Sequence, residues 1–416
     1  MLKILERPKQ PPPRPGEALA ALDRHAIANG ITAMLMACTG PLVIMLSVGV
    51  GAKMSQADIV TWIFGGYAIG GVFSIVFSII YRMPMGMAWT IPGVILLGSA
   101  LEHLPFAEAV GALYVTAGLL IVLGLSGWVR RIMDFIPLSI VMAMVAGVFL
   151  PFVLKIVTAF DQDWLIASVT LGTFILVSLA PGLARTIPPV LAALVAGAVA
   201  TVVTDQATLK EPLRLALAEP IFYRPAFSWQ AIVELVVPMA VTVVGIHNAQ
   251  GFAISRDNGY DPPVNTLTTA CGVGSVVFAA FGTVSTCVTG PANGILNSSG
   301  EKHKRYMGGV VFGVLILLFG LFAPVTAQLA LAMPAAFIGL LGGLSIFHVL
   351  RGSFVSAFSG RFQMGALVSF IVTVAGLPIV NIGAPFWGIV LGTLTSLLFE
   401  RGDFHAATEQ QQADRR

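Results

Sequence analysis

The chain has 416 residues, 56 % of them hydrophobic and only 10 % charged, with a formal net charge of +3. A soluble domain carries about 25 % charged residues, so water is excluded as the solvent for most of this surface. The small, scattered positive charge excludes a nucleic-acid partner as well.

In chain order, residues 1–26 read as a polar tail on the cytoplasmic side. The run Pro11-Pro12-Pro13 and Pro15 breaks it up, and it lacks the short apolar core of a cleavable signal. Apolar stretches of roughly 15–25 residues follow, enough for helices across an apolar slab about 30 Å thick. They fall near 27–51, 56–80, 87–101, 107–128, 136–158, 164–181 and 186–204. A polar insertion at 205–228 with Pro212, Pro220 and Pro225 reads as an external linker carrying a short surface helix. A second set lies near 229–255, 263–281, 286–299, 307–331, 334–350, 361–380 and 382–399, and 400–416 form a second cytoplasmic tail. The prediction is an all-α polytopic membrane protein of seven plus seven spans.

Three pairs of prolines support a duplication. Pro41 and Pro238 are 197 positions apart, as are Pro137 and Pro334, and Pro92 and Pro291 are 199 apart. An odd number of spans per copy inverts the second copy, giving an inverted repeat. With the N-terminus inside, eighteen of the 23 Lys and Arg fall on the cytoplasmic side. Outside remain only Lys53, Lys155, Lys210, Arg214 and Arg224, a strong positive-inside bias.

Spans 3 and 10 are broken by Thr90-Ile91-Pro92 and Thr289-Gly290-Pro291. Proline removes a backbone donor and disfavours helix in the residue before it, yet suits the start of a helix. The expected form is an extended piece, near Met85–Thr90 and Thr283–Thr289, then a half-helix from each proline. Extended backbone at membrane depth survives only when buried in protein or lining a cavity. If the half-helices meet near the midplane, their free N–H groups and positive dipole ends make a backbone anion site. The competing reading is two ordinary proline-kinked helices.

Span 8 places His247, Asn248 and Gln250 in an otherwise apolar helix. Polar groups at membrane depth are costly and usually face a bundle interior or cavity. His247 is the candidate proton carrier, since histidine titrates near neutral pH; the alternative is a structural histidine bonded to a carbonyl. Glu234, near the outer end of the same helix, is a second candidate for proton coupling. Asn293 and Asn297 follow the second break at i, i+4, and either faces the site or satisfies backbone freed by Pro291. Trp89 and Phe252 are candidate aromatic contacts. The pairs Gly65-Gly66, Gly70-Gly71 and Gly342-Gly343 read as close helix contacts.

Three cysteines, Cys38, Cys271 and Cys287, lie in apolar segments with no C-x-x-C spacing and imply neither disulfides nor a metal site. The sequence carries no nucleotide-binding loop, serine elbow or cofactor motif, so an enzyme is not expected and no cofactor is assigned.

The stretches "AWTIPGVILLG", "NAQGFAISRDNGYDPPVN" and "GPANGILNSS" resemble the BenE family of benzoate–proton symporters, in the wider group of nucleobase/ascorbate transporters and sulfate permeases. The resemblance implies a core domain (27–128 and 229–331, spans 1–4 and 8–11) and a gate domain (136–204 and 334–399, spans 5–7 and 12–14). It also implies short strands in spans 3 and 10, a ligand between them beside span 8, and a homodimer in the inner membrane. Nucleobase transporters of this group carry glutamates in spans 8 and 10; here the matching places hold Ile246 or His247, and Pro291 or Ala292. The leading expectation is therefore proton-coupled symport of a small aromatic carboxylate. Its anionic group would sit at Thr90, Gly93, Gly290, Ala292 and Asn293, with polar contacts from His247, Asn248 and Gln250. The ring would lie against Trp89, Phe252 or Phe337. The alternatives are a nucleobase or heterocycle symporter whose substrate edge is read by Gln250 and Asn248, and a channel or scaffold without coupled transport.

Overall fold

A computed structural model describes residues 5–129, 137–180, 182, 187–209, 212, 215–377, 379 and 382–404. The sequence readings on Lys3, Arg130, Arg131, Arg185, Lys210, Arg214, Arg415 and Arg416 lie outside the described residues. The chain is mostly helical. A helix, or a strand followed by a half-helix, stands at each predicted apolar segment.

The first half holds α1 (Pro15–Ala21), α2 (Arg24–Gly51), α3 (Gln56–Tyr81), β1 (Met87–Trp89), α4 (Ile91–Ala100), α5 (Phe106–Ser126), α6 (Leu138–Gln162), α7 (Trp164–Leu179) and α8 (Pro189–Val203). The second holds α9 (Trp229–Asp257), α10 (Val264–Ala280), β2 (Thr286–Val288), α11 (Gly290–Leu296), α12 (Tyr306–Leu321), α13 (Ala323–Ala332), α14 (Ala335–Phe358), α15 (Gln363–Ala375) and α16 (Ala384–Phe399). Among the described residues six helices (α2, α3, α5, α6, α9 and α14) are long and apolar enough to cross a membrane, or seven spans if α12 and α13 count as one. The sequence reads that pair as one span, 307–331, and it bends by 61°. Pro324, second in α13, cannot donate to the preceding turn and its ring crowds it. The solvent reading holds at the surface: Leu176, Leu179, Val203 and Phe399 are each at least 70 % exposed on apolar helices, an arrangement that suits lipid.

Each member of a proline pair occupies the same kind of place. Pro41 and Pro238 lie inside α2 and α9. Pro92 and Pro291 are each the second residue of a half-helix, and Pro137 and Pro334 each precede a long helix. The helices form two groups: α2–α5 pack with α9–α12, and α6–α8 pack with α14–α16. The groups touch where α14 lies on α2 and where α16 lies on the first half of α9. Glycines set the closest approach within the first group. A Cβ at Gly71 would fall 2.5 Å from the Gly313 carbonyl, and one at Gly313 would fall 2.7 Å from that of Gly71, so α3 and α12 meet backbone to backbone.

One expectation about the polar segments is corrected. The linker at 205–228 shows no helix among its described residues. It runs across one end of the bundle, where Ala218, Tyr223 and Ala226 donate backbone bonds to Leu321, Ala280 and Ala107. Ala218 and Tyr223 thereby satisfy carbonyls left free at the C-terminal ends of α12 and α10. The N-terminal tail is likewise docked. Glu6 accepts from the backbone N–H of Asn265 and Thr266 at 3.2 and 2.9 Å, supplying the side-chain cap that Pro263 cannot give α10. Arg82 holds Glu17 at 2.7 Å and the Pro11 carbonyl at 2.9 Å.

Candidate functional site

The two breaks meet as an antiparallel ribbon, with Met87 opposite Val288, Ala88 opposite Cys287 and Trp89 opposite Thr286. Thr90 N–H donates to Ser285 and Thr289 N–H to Gly86, at 3.1 and 2.9 Å, closing the ends. All six strand residues are buried. A two-stranded ribbon has two free edges, and at membrane depth such edges must find partners. Ser74 and Ser78 of α3 cover one, accepting from Met87 N–H at 2.8 Å and Met85 N–H at 3.1 Å. Four helical residues rise about 6 Å and two strand residues about 6.8 Å, so the two spacings match. On the other edge Thr286 N–H donates to Ser275 at 3.1 Å and Val288 N–H to Asn248 at 2.8 Å. A three-residue strand of about 10 Å adds to about 15 Å from the ten-residue α4 and to about 10 Å from the seven-residue α11, so each broken span covers most of the slab with a short helix.

The half-helices leave the ribbon in opposite directions, since each follows its own strand of an antiparallel pair. Their N-termini therefore lie at the two ends of the ribbon, about 14 Å of strand apart, rather than at one point as expected from the sequence. The two ends also differ. At α4, Thr90 Oγ1 accepts from Gly93 N–H at 3.4 Å and contacts Thr242 Oγ1 at 3.3 Å. Thr242 donates its own proton to the Met239 carbonyl, so the Thr90 hydroxyl is the donor between them. This terminus is capped and covered. At α11, Thr289 donates to the Gly86 carbonyl at 3.0 Å and no side chain caps the helix.

Gln250 lies directly over that uncapped start: a Cβ on Gly290 would fall within 2.5 Å of its side chain. Gln250 and Pro291 are exposed, and Gly245 has only Val241 of its own helix within 4 Å. The face carrying Gly245, Gln250 and Pro291 is thus open, while the opposite end of α9 is covered by α16.

Of the sequence candidates, Gln250 and Gly290 come together here, with Ala292 buried in the same first turn. Asn248 and Asn293 are fully buried and engaged with backbone. Asn293 Oδ1 accepts from Gly86 N–H, and its amide donates to the carbonyls of Gly86 and Thr289. Asn297 likewise donates to the Asn293 carbonyl. These amides support the ribbon. His247 is buried in a π-helical turn, Thr242–Asn248, and its Nδ1 bonds the Thr242 carbonyl at 3.3 Å. The three aromatic candidates are each 3 % exposed and packed apart from one another. Trp89 lies on Gly66 and Tyr67, Phe252 among Met87, Cys271 and Val288, and Phe337 on Gly197 and Thr170. Gly93 is closed over by Met239. Glu234 meets His103 at 3.1 Å, a partner that sequence spacing does not suggest. The supporting serines were missed too, although their i, i+4 spacing in an apolar helix was a usable signal. A cavity of about 1350 Å³ lies elsewhere, between the N-terminal segment and the loop at Gly259–Val264. Its lining of Arg82, Arg256, Lys302 and Asp261 suits water rather than an apolar ring.

A buried two-strand ribbon flanked by half-helices in a bundle of apolar helices is the architecture of a multi-pass membrane transporter. Solved structures of similar overall fold include the following. The SLC26A9 structure aligns with a TM-score of 0.62 at 12 % identity, over 89 % of this chain and 65 % of that one. The transmembrane domain of the cyanobacterial bicarbonate transporter BicA aligns at 0.55 and 14 %, over 90 % and 97 %. The chain thus spans about two thirds of SLC26A9 and nearly all of the BicA domain. Residues 20–398 match the family described as "Benzoate membrane transport protein", BenE, and the chain belongs to that family. Relatives include the inner membrane protein YdcO of Escherichia coli, 30 % identical over 90 % of this chain and 95 % of that one. The benzoate membrane transport protein of Acinetobacter baylyi is 28 % identical over 89 % and 93 %.

Proposed function

We propose that this chain is a secondary transporter carrying an aromatic or other small organic carboxylate, benzoate first among them, together with a proton across the inner membrane. Family membership and the name of the Acinetobacter relative support the substrate, and the name of the Escherichia relative supports the location. The observation that carries the site is the uncapped start of α11 beneath the exposed side chain of Gln250. The carboxylate lies against Gly290 and Ala292 with Gln250 donating to it, and the ring occupies the space beside Gly245. Asn248, Asn293, Thr90 and Gly93 support the ribbon without touching the ligand. His247 holds the π turn.

The same reading takes the chain through the membrane fourteen times in two inverted halves, with both termini cytoplasmic and a homodimer as the assembly. The two helix groups act as core and gate, which move past each other so that the site opens alternately to each side. The rival reading, a nucleobase symporter, needs Asn248 to read a base edge, and Asn248 is bonded to Val288. Uptake of radiolabelled benzoate and of uracil into proteoliposomes, with and without an acid-outside gradient, tests the function. Benzoate accumulation driven by the gradient supports it. Uracil accumulation, or gradient-independent equilibration of benzoate, refutes it.

A further inference from the structure

Glu234 lies in the second turn of α9 and is only 5 % exposed. Its Oε2 stands 3.1 Å from Nε2 of His103, which lies in the turn after α4 and whose side chain is 37 % exposed. The other carboxylate oxygen rests on the second helix group: a Cβ at Gly383 would fall 2.6 Å from Oε1. Gly383 is the N-cap residue of α16, a helix start that no side chain caps, and an anion is favoured there. A buried carboxylate of the core thus lies across the seam on the gate, at the end of α9 where the two groups touch.

The remaining charged or titratable groups of the elements around it are few. They are Glu102 beside His103, Glu108 and Tyr114 on α5, Lys155 and Asp161 on α6, and His247, Arg256 and Asp257 on α9 itself; α4 and α16 carry none. No hydrogen bond or ion pair links any of them to the pair among the described residues.

We infer that His103 and Glu234 bind the transported proton, with His103 as the solvent-facing end and Glu234 as the buried end at the core–gate seam. His103 Nε2–H gives its proton to Glu234 Oε2, and Nδ1 takes a replacement from water. A neutral Glu234 no longer favours the α16 start, so protonation weakens the closed seam and links proton loading to opening on that side. This rests on the proton-coupled reading above.

The test uses purified full-length protein in proteoliposomes, with benzoate as the probe. Wild-type accumulation under an acid-outside gradient establishes the transport reading itself. On that basis Glu234→Gln retains benzoate exchange within about twofold but loses gradient-driven accumulation by about tenfold or more. His103→Gln, which still donates a hydrogen bond but cannot pass a proton through its ring, slows gradient-driven accumulation while leaving benzoate exchange in place. Full gradient-driven accumulation by Glu234→Gln overturns the inference while leaving the transport reading standing. Infrared difference spectra between alkaline and acid conditions separate the two independently of any substrate: wild-type protein shows one protonated-carboxyl component that the same spectrum of Glu234→Gln lacks, and identical spectra for the two proteins also overturn the inference.

Discussion

Asn293 holds Gly86 by both of its backbone groups: its Oδ1 accepts the Gly86 N–H at 3.0 Å, and its amide donates to the Gly86 carbonyl at 3.2 Å. The side chain of one half-helix thereby acts as a further rung at the open end of the ribbon, joining the two breaks beyond the last strand pair. Its third bond, to Thr289 at 2.7 Å, ties the same amide to its own helix start. The residue is fully buried, so no water can replace it.

Replacing Asn293 with alanine strands the buried Gly86 N–H and should cost about 1–3 kcal/mol. Asn293→Asp keeps the acceptor but loses both donor bonds and faces two carbonyls, so it should destabilise at least as much. Thermal unfolding in detergent measures both. Melting curves that coincide with wild type would show that the rung carries no stability.

Gly290→Ala tests the open end of the site. The three atoms nearest the new Cβ all belong to Gln250, a flexible and exposed side chain, so the fold survives while the ligand space narrows. Benzoate exchange should fall by about tenfold or more, and Gly290→Ala/Gln250→Ala should recover part of it. The coupling expected for touching residues is about 0.5–3 kcal/mol. Strictly additive losses would separate Gln250 from the helix start.

His247→Gln keeps a donor for the Thr242 carbonyl, whereas His247→Leu removes it. Gradient-driven accumulation should persist in the first and the protein should lose stability in the second. If His247→Gln exchanges benzoate but no longer accumulates it, the histidine is the proton carrier and the pair at the seam is not.

The breaks were legible because proline acts on its own neighbours: Pro92 and Pro291 announce where a helix stops and restarts whatever surrounds them. The fate of each polar side chain was not. Asn248, Asn293 and Gln250 look alike in the sequence, yet two are engaged with ribbon edges and one faces the open side. The difference depends on which face of α9 or α11 meets the ribbon. The His103–Glu234 contact joins positions 131 residues apart, and no periodicity within one helix can propose it. The bend before Ala323 was available in Pro324 and was hidden by a continuous apolar run.

The N-terminal segment should leave its dock in acid. The Arg82 hydrogen bond holds the Glu17 carboxyl below its ordinary value, and the Lys9 hydrogen bond does the same for Asp261. Both are exposed groups with lowered folded values. Their contribution is therefore present above the ordinary carboxylate range and is lost as pH falls through the lowered values. Limited proteolysis within residues 5–21 should accelerate on acidification, and Arg82→Gln should show the fast rate already at neutral pH. Protection that is independent of pH in both proteins would mean that apolar packing of α1 holds the tail.

The most direct measurement is ligand protection at Gln250. Gln250→Cys puts a thiol on the open face over Gly290, while Cys271 and Cys287 remain buried. In a variant that still exchanges benzoate, saturating benzoate should slow maleimide labelling of that thiol by about tenfold, and uracil should leave the rate unchanged. Labelling at the same rate with and without benzoate would place the substrate somewhere other than the α11 start and contradict the account.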